Sequence, residues 1–341
     1  MDDIIILDTN VWVYSTKLMA SPLGAALASA IKRNSYVIAI PEVVNGEVQK
    51  HVVKHGLEAV EKIDDNYKII ETLMGKRDDY KVPDETSFKN RFSERLSELG
   101  LNCFSIPTTL SMYKNALVRV INGTPPNGMK NQQYKDSLIW ESILFLSEKS
   151  DVHFITEDKG FFKETSPNRG IAQELISELD SLKNKVYVYY QTKTFLDEIS
   201  QSLPPINREI ITSKISEYIY PKVIEEIEKK GAFFEGMSGK KVALYLTENP
   251  SLIAVDFSII YDLSNVIPLN EKTGIPAIRK VEGSCMWNIG SQDIENLSLR
   301  SHKTYDTDGN EIPGFGHHIL GVSNITIGRK TIKYKLKTPF K

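Results

Sequence analysis

The sequence predicts an α/β protein with a central parallel sheet covered by helices on both faces over residues 1–202, followed by a smaller α+β domain over 203–341. Three observations carry this reading. The run Ile4-Ile5-Ile6-Leu7 is apolar without interruption, the pattern of a strand buried on both faces. Further short apolar runs alternate with segments of helical periodicity, which is the order of parallel βα units. At Ser202-Leu203-Pro204-Pro205 the alternation stops, and a long helical segment gives way to strand-and-turn patterning.

Each element follows from its residues. After Ile4–Leu7, a helix is expected from about Ser21, where Ser21-Pro22 supplies a cap and a first-turn proline and Leu23, Leu27, Ala30 and Ile31 form the buried stripe. Tyr36 to Ile40 is the second strand, ended by Pro41, and a helix through Val43, Val44, Val48 and Val52 carries Glu42 and Glu47. Residues from about 57 to 100 are rich in charge and helically spaced. They read as a helical insertion with a loop near Pro83-Asp84, its charges forming a solvated face. Thr109 to Ile121 is helical, Asn122 to Gly128 is loop, and Tyr134 opens a helix with Asp136 in its first turn. The strand Val152–Thr156, a helix from about Ile171 to Leu182 and the strand Val186–Tyr189 complete the series. Beyond the boundary, about Arg208 to Lys230 is helical. Short strands and turns follow from about Leu252, with Thr326-Ile327 and Thr331-Ile332 among them.

Composition narrows the function classes. The chain has 341 residues, 41% hydrophobic and 25% charged, with a net charge of -2, so no global electrostatic case exists for a nucleic-acid partner. Residues 1–200 hold 24 basic and 28 acidic side chains, and this mild acid excess fits a carboxylate site. Two cysteines, Cys103 and Cys285, make neither a disulfide framework nor a zinc finger and suit a reducing cytoplasm. The acidic start Met1-Asp2-Asp3 does not resemble a signal peptide, and no stretch is apolar enough for a membrane span.

The chemistry resides in four acids. Asp8 and Asp158 each follow an apolar strand, Glu47 lies on the helix after the second strand, and Asp136 opens the helix leading to the strand before Asp158. In open α/β sheets ligands bind beyond the carboxyl ends of the strands, and in a parallel sheet these four places can share that edge. Carboxylates gathered there repel one another unless a hard divalent cation, Mg²⁺ or Mn²⁺, takes their oxygens. Such an ion activates water, so hydrolysis of a phosphodiester is the implied reaction, through one metal or two. Each acid has a plainer competitor. Asp8 could cap a turn, Glu157 could replace Asp158, Glu42 could replace Glu47, and Asp136 could be a favourable N-terminal helix charge.

The segments Leu7-Asp8-Thr9-Asn10, Pro41-Glu42-Val43-Val44 with Glu47, Tyr134-Lys135-Asp136 with Ile139-Trp140, and Phe154-Ile155-Thr156-Glu157-Asp158 with Phe161 together resemble the PIN-domain nucleases, most closely the larger bacterial PIN-like proteins. The resemblance covers about residues 1–200. It implies a Rossmann-like three-layer α/β/α fold and a divalent-metal-dependent hydrolase, an endonuclease acting usually on RNA. Asp8, Glu47, Asp136 and Asp158 would be the catalytic and metal-binding acids, Thr156 would place a hydroxyl near the metal, and Asn10 would support Asp8. The insertion near 57–100 departs from the short toxin type. The partner expected is RNA, single-stranded or structured; a protein partner or inhibitor and a homo-oligomer are compatible with the pattern. A PIN-like scaffold that binds without cutting and a single-strand or flap DNA nuclease are the competing functions.

Other readings fare worse. An aspartyl phosphatase wants a second acid where Asn10 stands, and no Walker-type phosphate loop is present. His317-His318 are adjacent and diverge, which argues against zinc, and His51 and His55 share a helix face without a convincing acid between them. Arg329, Lys330, Lys333 and Lys335 form a basic tail that could contact phosphate or simply blunt a sheet edge. Trp287, Tyr305 and Phe315 could stack bases, but a small domain needs such side chains as core.

Overall fold

The computed structural model describes residues 3–313 apart from 77, 79–80, 129–131, 200–202, 204, 269–270 and 272. The basic tail with Arg329, Lys330, Lys333 and Lys335, and also Phe315 and His317-His318, lie outside the described residues. The chain divides into two compact units. The first is Met1–Pro204 with Tyr245–Pro250, the second Pro205–Leu244 with Ser251–Lys341.

The first unit is built on five parallel strands in the order β3-β2-β1-β4-β5: β1 (Ile4–Leu7), β2 (Val37–Pro41), β3 (Cys103–Ile106), β4 (Val152–Thr156) and β5 (Val186–Tyr190). β1 is central because nothing in Ile4–Leu7 tolerates water; all four residues are buried. β2 and β3 extend the sheet on one side of β1, and the chain then returns to place β4 on the other. That reversal between β1 and β4 is the position where open α/β sheets hold ligands. The flanking helices are α1 (Pro22–Arg33), α2 (Glu42–Met74), α3 (Glu85–Leu99), α4 (Leu110–Asn122), α5 (Tyr134–Ser147), α6 (Gln173–Leu179) and α7 (Thr192–Glu198). Local signals set their starts. The Ser21 hydroxyl accepts from the Gly24 N–H at 3.1 Å, and Asp84 and Thr109 cap α3 and α4 in the same way.

Two features depart from the sequence expectation. The helix carrying Glu47 continues as one 33-residue rod through much of the expected insertion. Dense charge there marked solvent exposure and did not end the helix, because residues 57–74 contain no proline and no glycine. Gly56 lets α3 close on this rod, since a Cβ there would meet the Phe88 ring at 2.5 Å. The short edge strand β3 went unforeseen: two of its four residues are exposed, so it has no apolar run to reveal it.

The second unit packs α8 (Arg208–Glu228) with a four-stranded sheet, order β6-β7-β8-β9: β6 (Phe233–Leu246), β7 (Leu252–Val266), β8 (Ile275–Asn288) and β9 (Asp293–Asp306). The β7/β8 and β8/β9 pairs are antiparallel. Ile211, Ile215, Ile219, Val223 and Ile227 make the buried stripe of α8, and Ile227 joins Leu263, Val266 and Ala277 in a core cluster. The expected short strands are instead 14 or 15 residues long, and Trp287 is core. Among the described residues no helix is long and apolar enough to cross a membrane.

Candidate active site

At the carboxyl end of β1, Asp8 is buried at 3% exposure, and the Asp8 N–H donates to the Ile155 carbonyl at 3.0 Å, tying it to β4. A buried carboxylate requires donors. The Thr156 hydroxyl donates to Asp8 Oδ2 at 2.7 Å and itself accepts from the Asp158 N–H at 2.9 Å. A single hydroxyl at the end of β4 therefore positions Asp8 and the turn bearing Asp158. Asp158 is held in turn by the Gly160 N–H at 2.6 Å and the Gln133 side-chain amide at 2.9 Å.

Glu47 stands more than one turn into α2 and reaches the same place. Its Oε2 accepts from the Thr9 hydroxyl at 3.0 Å, and its Oε1 pairs with the Lys135 ammonium. Glu42 is committed elsewhere, accepting from the Thr108 N–H at 2.9 Å. Asp136, half-buried in the first turn of α5, has no side-chain hydrogen bond among those described and sits in the field of the other three acids. Asn10 makes no side-chain capping bond at the start of the short π-helix Val11–Ser15. The side-chain hydrogen bond that braces Asp8 comes from Thr156, beside a backbone one from Thr9.

The electrostatics follow from burial and mutual repulsion. Desolvation, then the charges of Asp8, Asp158 and Glu47, push the Asp136 carboxyl from 3.8 up to about 8, against a small relief from Lys135. Asp8 is raised to about 6, chiefly by burial, with Asp158 and Glu47 adding to it and the Thr156 hydrogen bond opposing. The donor set is therefore all oxygen and in want of positive charge, the chemistry that Mg²⁺ or Mn²⁺ satisfies. Among the described residues no three His, Cys, Asp or Glu side chains form a ready-made metal cluster. The carboxylates are turned instead toward Thr156, Thr9, Lys135 and Gln133. The residues fit the ion in chemistry, and coordination requires these internal donors to be exchanged for it.

Thr9, Gln133 and Lys135 belong to the site and were given no role on sequence. Each is a neighbour of a recognised acid or of its helix start, which was the only signal available. Gln133 is fixed in turn by Asn127, whose Oδ1 accepts the Gln133 N–H at 2.6 Å and whose amide donates to Ser137 Oγ at 2.8 Å. Beyond Glu47 on α2, His51 and His55 stack 5.9 Å apart, and both lie within hydrogen-bonding reach of the Tyr14 hydroxyl.

A family model described as the PIN domain matches residues 5–161, from the core of β1 to just past Asp158. No curated protein and no solved structure matches the chain. The five-stranded parallel sheet with helices on both faces is the α/β/α arrangement of that family, whose members are in general nucleases and generally use divalent metals. Residues 5–161 of this chain are a PIN domain.

Proposed function

We propose that the protein is a divalent-metal-dependent endoribonuclease of the cytoplasm, hydrolysing phosphodiester bonds with an activated water. The observation that carries the proposal is the gathering of Asp8, Glu47, Asp136 and Asp158 at the β1/β4 reversal, close enough that each of the other three raises the Asp136 carboxyl. A divalent ion held there supplies a Lewis acid for the phosphoryl oxygens and a water of lowered pKa. Asp8, Glu47, Asp136 and Asp158 would hold that ion. Thr156 keeps Asp8 aimed, and Gln133 does the same for Asp158. The Lys135 ammonium, half in solvent beside Glu47, is placed to meet a phosphate oxygen. The unpaired Cys103 and Cys285 are in keeping with a reducing compartment.

The test is cleavage of a mixed RNA pool with Mg²⁺ or Mn²⁺ by the wild type and by Asp8→Asn, which keeps shape and removes charge. Metal-dependent internal cuts by the wild type alone are expected. Equal activity in both proteins, or none with any metal, refutes the proposal, and the second result leaves a binding scaffold. Matched RNA and DNA strands side by side decide the sugar.

A further inference from the structure

Beside Asp158 a cavity of about 500 Å³ opens between the Pro125–Gly128 turn and the Lys159–Thr165 turn. That volume falls in the roughly 300–1,000 Å³ range of small-ligand pockets. Its walls combine four chemistries, one of them the carboxylates of Asp158, Glu164 and Glu174. Pro126 and Phe162, both buried, form an apolar back wall, and Phe162 is held edge-on against Tyr190 at 5.6 Å. Thr165 and Gln173 line it with a hydroxyl and an amide that make no side-chain hydrogen bond among those described. Lys159 and Lys163 line it as exposed cations.

The pocket is built into the acid site. Asp158 and Gln133 are lining residues, so one carboxylate of the acid site and the amide that holds it also form part of the cavity wall. Gly160 makes the floor possible: a Cβ there would lie 2.5 Å from Gln133 Oε1 and 2.6 Å from the Pro126 carbonyl. The rim is strained, with Glu164 and Thr165 both at positive φ, 52° and 54°. Non-glycine residues persist there only where the surroundings impose the conformation, and such positions cluster at functional sites.

We propose that this cavity is a nucleotide subsite, receiving the base of the RNA residue next to the scissile phosphodiester. The base lies against the back wall of Pro126 and Phe162, Gln173 and Thr165 read its edge, and Lys159 and Lys163 meet the adjoining backbone phosphate. The chemistry is that of single-strand recognition, in which unstacked bases offer both faces and hydrogen-bonding edges to protein. The proposal rests on the endoribonuclease reading, because it takes the acid site as the point of cleavage.

The full-length protein is cross-linked to short single-stranded RNA carrying one 4-thiouridine at successive positions, and the adducts are mapped by mass spectrometry. Cleavage products from a mixed-sequence RNA with Mn²⁺ are sequenced in parallel. Adducts within 159–165 or at Gln173 are expected, from one nucleotide position only. Gln173→Ala and Lys163→Ala should lower their yield about three- to tenfold, the loss of one hydrogen bond or charged contact, and flatten the base preference at that position. Lys114→Ala, on the exposed face of α4, should change neither readout. Adducts elsewhere, or yields unaltered by Gln173→Ala and Lys163→Ala, overturn the subsite. Adducts in the pocket without any Mn²⁺-dependent cleavage overturn the nuclease reading and leave the pocket as a nucleotide site.

Discussion

Removing the charge of Asp136 should make the metal-free protein more stable while destroying its response to metal. A carboxyl raised from 3.8 in the unfolded chain to about 8 in the folded one binds its proton more tightly when folded. Its contribution is therefore fully favourable below pH 3.8 and is lost progressively as pH rises toward 8. Each tenfold change in the acid constant is about 1.4 kcal/mol, so the ceiling on this cost near pH 7.5 is on the order of 5 kcal/mol. Asp136→Asn removes the charge but keeps a polar group to desolvate, which leaves a gain of about 1–3 kcal/mol. For a unit of this size that is a rise of about 3–8 °C in Tm. The assay is thermal unfolding in chelator at pH 5 and pH 7.5, followed by the fluorescence of Trp12 and Trp140 in a Trp287→Phe background, with and without Mn²⁺. The wild type should be more stable at pH 5 than at 7.5 without metal and should gain from Mn²⁺ at 7.5; the variant should lose the Mn²⁺ gain and keep only the smaller pH dependence that buried Asp8 contributes. A metal-free variant less stable than the wild type at pH 7.5 would refute the electrostatic account of the site.

Three further outcomes follow from the same contacts. Thr156→Val removes the donor to Asp8 and the acceptor for Asp158 N–H, and should lower nuclease activity about 10- to 100-fold, as loss of a ligand's supporting partner does, with Thr156→Ser restoring most of it. Arg119 donates to Glu141 at 2.7 Å and to both Glu178 oxygens at 2.9 and 2.6 Å, so Arg119→Ala should cost about 3–5 kcal/mol in urea unfolding by leaving buried Glu141 without its cation. Gly160→Ala drives a methyl into Gln133 Oε1 and the Pro126 carbonyl, and should cost about 1–3 kcal/mol of stability together with activity, read by urea midpoint and RNA cleavage.

What the sequence made legible followed periodicity and punctuation. β1 and β4 announce themselves because their residues must all be buried, and the acids that end them stand out against that run. Ser21-Pro22 and Thr109 mark helix starts through local hydrogen bonds that depend on three or four consecutive residues. β6 and β8 were hidden for the opposite reason. Gly236 and Gly239 interrupt the apolar pattern of β6 and Gly283 that of β8, and Gly283 sits at a register shift against β9, where a Cβ would lie 2.4 Å from the Ser298 carbonyl. Within the site, Thr9 meets Glu47 across 38 residues, and Gln133 meets Asp158 across 25. Such pairings leave no local pattern, so the acids can be read from sequence while the side chains that aim them cannot.

Lys135 tests whether the site has been understood as a balance of charge. Four carboxylates share one small volume, and the ammonium on Glu47 is the cation that the chain itself supplies there. If Lys135 holds the place of the metal, the two compete for Glu47. Lys135→Met should then tighten Mn²⁺ binding while further weakening the metal-free fold, since the Lys135 charge lowers the Asp136 carboxyl. The side chain is 56% exposed, which limits the effect to about 1 kcal/mol, or at most about tenfold in affinity. Calorimetric titration of Mn²⁺ into both proteins measures this directly, and single-turnover cleavage at saturating metal separates it from any contact of Lys135 with the phosphate. Tighter metal binding with slower cleavage would mean that one ammonium does both jobs, leaving Glu47 for the substrate when the ion arrives. Weaker Mn²⁺ binding in Lys135→Met would show that Lys135 organises the ligands rather than standing in for the ion.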